Sequence, residues 1–218
     1  KDFSANKTGV SCSSYEVLAN LLLNEKTFLS IKEDYVKEVL DLIRGKAKKE
    51  AMLLFREYEQ NKKTIALTEL SAMISREINA LKSAIMKELG SGKKNLFLDD
   101  ETQYSILHSY LPENLKKNVG DDYKGLPKTY RFAVVATEIA CKIVYDQGVG
   151  WLSSLRVEET EYIDFIQSYL KNDNLASNML SEIETSNLKN KSSYVDLIRK
   201  TATRELTRDE YFSNFSKF

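Results

Sequence analysis

The spacing of apolar residues constrains this chain more than any other feature, because it is helical almost throughout. Apolar side chains recur every three or four residues over long stretches, and the alternation typical of strands is rare. Only Pro112 and Pro127 interrupt the 218 residues, and Pro127 suits the first residue of a helix, where its missing N–H has no consequence. The sequence therefore predicts a mainly α fold of several helices.

Two long amphipathic helices are predicted in the first half of the chain. One covers about residues 31–59 and contains a weak point at Gly45; the other runs from Leu70 to Leu89. The apolar stripe of the first is formed by Val36, Val39, Leu40, Ile43, Ala47, Ala51 and Leu54. Residues 90–94 indicate a loop, with Gly90 in the position that follows a helix end. Asp99, Asp100 and Glu101 are typical of the next helix start.

The helix predicted from Pro127 to Gln147 is apolar nearly all round, so we expect it to be the buried centre of the helical region. Its narrow polar stripe consists of Arg131, Glu138, Lys142 and Tyr145. The spacing favours a surface ion pair between Glu138 and Lys142, worth about 0.2–0.5 kcal/mol. A role of this stripe in an interface is the alternative.

Three further helices are predicted over residues 158–171, 175–184 and 193–206. Aromatic residues crowd the tail behind them: Tyr211, Phe212, Phe215 and Phe218. Four aromatic side chains within eight residues are expected to be buried, either against the same domain or against a neighbouring subunit.

Charge and composition exclude several classes of function. Lys and Arg total 32, Asp and Glu total 32, and the formal net charge is zero. No long-range field would attract nucleic acid, so a protein that binds the phosphate backbone is not indicated. The apolar runs are short, and we expect no membrane insertion.

The chain has few residues that could bind a metal ion or form a disulfide, and their positions predict neither a metal site nor a disulfide bond. Cys12 and Cys141 are far apart, which suits a reducing compartment such as the mitochondrial matrix or the cytosol. His108 is the only histidine and has no second ligand at helical spacing. We interpret it as a structural residue and predict no metal site.

The first residues hold the most specific pattern. Asn6 to Cys12 is interpreted as a loop in which Gly9 gives backbone freedom. Ser13 followed three residues later by Glu16 fits a capping box, so a helix is expected to begin there. Such a helix start can bind a carboxylate or a phosphate; the alternative interpretation is a capping box that only begins a helix.

The stretch from Lys1 to Ala19 resembles a segment of the large NAD-specific glutamate dehydrogenases. That family carries an Asn-Ala-Gly-Gly-Val pattern, with a Ser seven residues and a Glu ten residues after the Asn, and Asn6, Ser13 and Glu16 keep this spacing. Lys7-Thr8 departs from the pattern. The resemblance continues through five later segments, which are Tyr110 to Leu115, Tyr130 to Ala140, Arg156 to Thr160, Tyr169-Leu170 and Ser181 to Glu184.

The resemblance implies a role for each matched residue. Asn6 and Gly9 would contact the nicotinamide end of NAD, Ser13 would bind the side-chain carboxylate of glutamate or 2-oxoglutarate, and Glu16 would support them. The family's catalytic lysine and aspartate have no match here, so we expect no catalytic residue in this chain and no activity from it alone. The resemblance also implies an oligomer or a larger assembly.

The resemblance also implies a domain organisation. Residues 1–28 would close a truncated Rossmann-like nucleotide-binding domain, with a short strand in the first five residues, and residues 29–218 would form a carboxy-terminal helical domain. The glycine-rich dinucleotide fingerprint is missing, and the chain begins inside a family segment, so a longer polypeptide is expected. The alternative function is a helical scaffold or interaction subunit without catalysis.

Overall fold

A computed structural model describes residues 2–92, 98–120, 123, 125–151 and 161–215, with side chains described from Cys12 to Asp209 within those ranges. The described residues form helices and contain no strand. In chain order the helices are α1 (Asp2–Leu22), α2 (Glu25–Gln60), α3 (Leu67–Gly90), α4 (Asp100–Tyr110), α5 (Glu113–Val119), α6 (Lys128–Gln147), α7 (Tyr162–Thr185) and α8 (Lys191–Phe215). The prediction of a mainly α fold is confirmed.

The chain divides into two compact units. The first comprises Lys1–Met73 and Asp100–Ile139, and the second comprises Ile74–Asp99 and Ala140–Phe218. This division does not test whether residues 1–28 close a separate domain in a longer polypeptide, which stays a prediction. None of the helices in the described ranges has an apolar stretch long enough to cross a lipid bilayer.

The first unit is held by a core contributed by α1, α2, α4, α5 and the first half of α6. Its fully or nearly fully buried members are Tyr15, Leu18, Ala19, Tyr35, Val39, Ile43, Leu107, Leu111, Leu115, Tyr123, Leu126 and Val134. Burial of apolar area on this scale is the main stabilising contribution to folding. In the predicted stripe of α2, Val39 and Ile43 are buried, but Val36 and Leu40 are each 44% exposed. The buried face is therefore rotated towards Tyr35 and Leu53.

The core of the second unit lies around α3, the second half of α6 and α7. Trp151 and Phe165 pack with ring centroids 4.3 Å apart, and the hydroxyl of Tyr169 donates a short hydrogen bond to Asp146. Ala140, Ile143 and Val144 are all 0% exposed. The prediction that the helix ending at Gln147, here α6, is a buried centre is confirmed.

The beginning of the chain differs from the prediction. Helix α1 starts at Asp2, so the expected short strand, the expected loop and the helix start at Ser13 are wrong. A strand needs a neighbour to satisfy its backbone hydrogen bonds, whereas a helix satisfies them internally. The described residues contain no strand with which a strand at the start of the chain could pair.

Several helix boundaries also need correction. Helix α2 starts earlier than predicted, at Glu25, because Asn24 caps it by accepting from the Thr27 N–H at 2.9 Å. Gly90, which is predicted to follow the end of α3, is instead the last residue of that helix. The residue with a positive φ in this connection is Gly92, two positions later. The helices predicted over 158–171 and 175–184 are joined as α7, because Asn172 is buried and Asp173 pairs with Lys142 instead of breaking the helix.

The connection between α2 and α3 contains an unusual turn. Lys62 and Lys63 both have positive φ, at 52° and 63°. Backbone hydrogen bonds from Lys62 to Glu59 and from Lys63 to Tyr58, 3.0 and 2.9 Å long, hold the turn. Left-handed backbone is costly for a residue with a Cβ, so these contacts keep two lysines in a conformation that suits glycine.

Helix α5 is fastened to α2 by one carboxylate. Glu38 accepts hydrogen bonds from the backbone N–H groups of Glu113 and Asn114 and from the Asn114 side chain, the last two at 2.9 and 2.8 Å. The Ncap residue of this helix, Pro112, makes no side-chain cap. A carboxylate from another helix thus satisfies backbone donors at the start of α5.

We expect Glu38→Ala to lower the free energy of unfolding by about 1.5–3 kcal/mol, since hydrogen bonds to a charged group contribute that much. Chemical denaturation measures the change. Glu33→Ala, on the exposed side of the same helix, is the matched control and should change stability by less than about 0.5 kcal/mol. Equal effects of the two substitutions would contradict the fastening role of Glu38.

Candidate functional site

The residues singled out at the start of the sequence lie on α1. Asn6 and Gly9 are within the helix, but the Asn6 side chain and the surroundings of Gly9 are outside the described part of the structure. Ser13 and Glu16 are exposed. With Val17, Asn20 and Leu21, which are also exposed, they recur at helical spacing and form one surface, here called the α1 outer face.

The opposite side of α1 is anchored firmly. Tyr15, Leu18 and Ala19 are at most 2% exposed. The hydroxyl of Tyr35 donates to the Tyr15 carbonyl oxygen at 2.6 Å, and the hydroxyl of Tyr130 donates to the Ser14 carbonyl oxygen at 3.0 Å. The α1 outer face is therefore presented on a fixed helix. Val17 and Leu21, which lie beside Ser13 on this face, are 41% and 37% exposed.

A second feature of the first unit is a cleft of about 720 Å³ along α2. The side chains that line it are Tyr15, Asp34, Lys37, Glu38, Asp41, Leu42, Lys46, Lys49, Ser109, Tyr110, Asn114 and Glu138, with Gly45 at the backbone. Three lysines and four carboxylates share this lining. Its size falls in the usual range of ligand pockets, about 300–1,000 Å³.

Lys46 and two tyrosines form the inner end of the cleft. The rings of Tyr15 and Tyr110 stack with centroids 5.3 Å apart and planes 13° apart. The Lys46 ammonium lies 4.4 Å from the Tyr110 ring centroid and 5.8 Å from that of Tyr15. Its Nζ also pairs with Glu138 Oε1 at 2.9 Å. An ammonium is thus held by a carboxylate and by the negative faces of aromatic rings.

The tyrosines around this end stay protonated over the physiological range. Burial, reinforced by the Glu138 carboxylate, raises the pKa of Tyr15 above its usual value, while the Tyr110 side chain opposes part of the rise. Burial also raises the pKa of Tyr110 against the opposing charge of Lys46. Both hydroxyls therefore remain neutral hydrogen-bonding groups near pH 7.

The predicted pair of Glu138 with Lys142 is wrong. Glu138 pairs with Lys46, and Lys142 Nζ pairs with Asp173 at 2.5 Å. Sequence reasoning also missed the cleft, because its residues come from α1, α2, α4, α5 and α6. The one signal in the sequence is Gly45, and a glycine inside a long helix by itself indicates only a local loss of helix stability.

His108 is half-buried and lies 2.6 Å from the Tyr123 hydroxyl through Nδ1, with the Tyr104 ring stacked on it. These contacts agree with a structural role. Among the described side chains, no three His, Cys, Asp or Glu residues are grouped so as to hold a metal ion. The last residues of the predicted loop at 90–94, the segment Arg156 to Thr160 and the aromatic side chains of the tail lie outside the described part.

Comparison with characterised proteins identifies the family. The chain is 31% identical over 163 residues, 69% of its length, to glutamate dehydrogenase 2 of Dictyostelium discoideum. It is 30% identical over 162 residues, 68% of its length, to the NAD-specific glutamate dehydrogenase of Neurospora crassa. The probable NAD-specific glutamate dehydrogenase of Schizosaccharomyces pombe is 28% identical over 184 residues, 78% of the chain. The chain belongs to the large NAD-specific glutamate dehydrogenase family.

The match covers 15% of the Dictyostelium and Neurospora proteins and 16% of the Schizosaccharomyces protein. The chain therefore spans about one seventh of the length of these family members. No family model matches it, and no solved structure does. The family membership agrees with the resemblance found in the sequence, and the roles of individual residues stay predictions.

Proposed function

We propose that this chain is part of an NAD-dependent glutamate dehydrogenase, which converts glutamate, NAD and water to 2-oxoglutarate, ammonia and NADH. The observation that carries the proposal is the similarity to proteins named for this activity over more than two thirds of the chain. The chain supplies one wall of the substrate and nicotinamide site and a helical part that braces the enzyme and takes part in oligomerisation. The catalytic groups lie elsewhere in the enzyme, so the chain alone is inactive.

In this proposal the α1 outer face is turned towards the substrate. The Ser13 hydroxyl donates a hydrogen bond to the distal carboxylate of glutamate or 2-oxoglutarate, and Glu16 supports the surface beside it. Asn6 and Gly9 contact the nicotinamide end of NAD, which accepts the hydride when bound. The role of these residues is positioning: they hold the reacting carbon opposite the hydride acceptor. The fixed inner side of α1 supports this proposal, because a positioning surface must be rigid.

Ser13→Ala tests the proposal in a complete enzyme that contains this segment. Loss of a hydrogen bond to a carboxylate costs about 1.5–3 kcal/mol, so kcat/KM for glutamate should fall about 10-fold to 150-fold. Steady-state kinetics of NADH formation measure the fall. Glu33→Ala, on the exposed side of α2 and outside the α1 outer face, is the control and should leave kcat/KM within about twofold. An unchanged kcat/KM for Ser13→Ala would remove Ser13 from the substrate site.

One observation favours the second candidate function, a helical scaffold or interaction subunit. Large apolar side chains are exposed along α2, including Leu29 at 59%, Met52 at 63% and Phe55 at 60%. Apolar area of this kind marks a surface that another part of an assembly covers. The two functions differ in activity: a complete polypeptide containing this segment forms NADH from glutamate in the first and does not in the second.

We propose the mitochondrial matrix as the location, with the cytosol as the alternative. Cys12 and Cys141 form no disulfide, which suits either reducing compartment. Fractionation of cells that express the tagged complete protein distinguishes the two.

A further inference from the structure

The inner end of the cleft already holds an ammonium group, and it belongs to the protein itself. The Lys46 Nζ is bound by Glu138 and faces the stacked Tyr15 and Tyr110 rings. The Lys46 side chain is 42% exposed and the Glu138 side chain 33%, and the lysine stem has the larger number of rotatable bonds. Tyr15, in contrast, is buried.

Gly45 opens the cleft beside this group. A glycine inside a long helix is less stable there than alanine, yet a Cβ added at Gly45 would meet no atom within 4 Å. Packing therefore does not require a glycine at this position. What the glycine provides is space, in the turn directly before Lys46.

The Tyr15 side chain adds a polar group to the same place. Tyr15 is 1% exposed, and the Tyr110 side chain is the hydrogen-bonding partner beside its hydroxyl. A phenol hydroxyl can both donate and accept. An occupant of the cleft with a polar head can use the capacity that Tyr110 leaves open.

The charges of the lining select the kind of occupant. A simple anion would meet the carboxylates of Asp34 and Asp41, the second of them already paired with Arg44 at 2.8 Å, and a simple cation would meet Lys37 and Lys49. A molecule with both charges avoids either conflict, because each of its ends finds an opposite partner. Lys46, once displaced, adds a positive charge where the carboxylate of such a molecule would lie.

We propose that the cleft binds a small zwitterion, whose ammonium replaces that of Lys46 between Glu138 and the Tyr15 and Tyr110 rings and whose carboxylate pairs with the displaced Lys46 and with Lys49. Lys46 is the internal occupant of the site and competes with the ligand. The site is distinct from the α1 outer face and does not depend on the function proposed for that face.

Three matched probes test the charge requirement on this chain: δ-aminovalerate carries both charges, pentylammonium only the positive one and valerate only the negative one. Titrations followed by NMR of the tyrosine rings should show δ-aminovalerate binding about tenfold or more tightly than either single-charge probe. Equal binding of the three probes, or no binding of δ-aminovalerate, would overturn the proposal.

Substitutions locate the site. Glu138→Gln should weaken δ-aminovalerate about tenfold or more, whereas Glu33→Gln, on the exposed side of α2, should not change its binding. Gly45→Leu should fill the cleft and abolish binding while leaving the melting temperature equal or higher, since leucine favours a helix over glycine. This second variant keeps the test decisive if Glu138→Gln proves unstable. Unchanged binding in Gly45→Leu would place the ligand elsewhere.

Lys46→Met tests the competition directly. Without the internal ammonium, pentylammonium should bind several-fold more tightly than it binds the unaltered chain, and the advantage of δ-aminovalerate over pentylammonium should shrink. If Lys46→Met leaves the binding of pentylammonium unchanged, Lys46 is not an occupant that a ligand displaces, and the proposal fails.

Discussion

Above about pH 10 the free energy of unfolding should fall steeply, because several buried tyrosines cannot ionise in the folded chain. Burial raises the pKa values of Tyr15, Tyr35 and Tyr169, and their side chains are at most 3% exposed. In the unfolded chain they ionise near the ordinary value of about 10. The stability they contribute is complete below that pH and is lost as the pH rises towards the folded-state pKa.

The slope follows from linkage. Each tyrosine that is ionised only in the unfolded state lowers the free energy of unfolding by about 1.4 kcal/mol per pH unit, so three lower it by about 4 kcal/mol. A domain is stable by only about 5–15 kcal/mol, so unfolding should be complete within a few pH units. Circular dichroism reports the loss of helix, and tyrosinate absorbance reports ionisation.

A single substitution gives the control for the alkaline transition. Tyr35→Phe removes one titrating group and should lower the slope by about 1.4 kcal/mol per pH unit, even though it also loses the hydrogen bond to Tyr15. Tyrosines that all ionised near pH 10 without loss of helix would contradict the burial described here.

Ile139→Asp should prevent folding altogether. Ile139 is 3% exposed in α6, between Val135, Ala136 and Ile143, which are at most 1% exposed. The substitution removes a buried apolar side chain, which costs about 2–5 kcal/mol, and places an unpaired carboxylate in an apolar core, which adds several more. The sum reaches the whole stability of a typical domain. Soluble yield and circular dichroism after purification measure the outcome.

Two variants separate this effect from a general sensitivity to mutation. Ile139→Val keeps the site apolar and should cost about 0.5–1.5 kcal/mol. Leu197→Asp introduces the same charge at a residue that is 61% exposed, and should give folded protein. A well-folded Ile139→Asp protein would show that α6 is not the buried centre.

Helices that carry their own apolar pattern could be predicted from the sequence. The burial of Val135, Ile139 and Ile143 in α6 follows from their spacing, because no other arrangement of that helix hides so many apolar side chains. The start of α4 agrees with the acidic residues in its first turn, Asp100 and Glu101, which the helix dipole favours there. Both depend on residues close together in the chain.

Features that depend on distant residues could not be predicted in the same way. Glu138 was expected to pair within its own helix, but a partner 92 residues away, Lys46, binds it instead. An i,i+4 pair on a helix surface is worth only a few tenths of a kcal/mol, so tertiary placement decides which pairs form. The cleft, assembled from five helices, has the same origin.

The left-handed turn at Lys62 and Lys63 has a consequence for engineering the chain. Both side chains are exposed. The ion pair of Lys63 with Glu59, at 3.2 Å, joins side chains that are 59% and 66% exposed, so it contributes little to stability. Glycine adopts the same backbone conformation without the strain of about 1–2 kcal/mol that each lysine bears, although it loses more entropy on folding. Substitution of Lys62 and Lys63 by glycine is thus a way to raise the thermal stability of the chain without altering either core, the α1 outer face or the cleft.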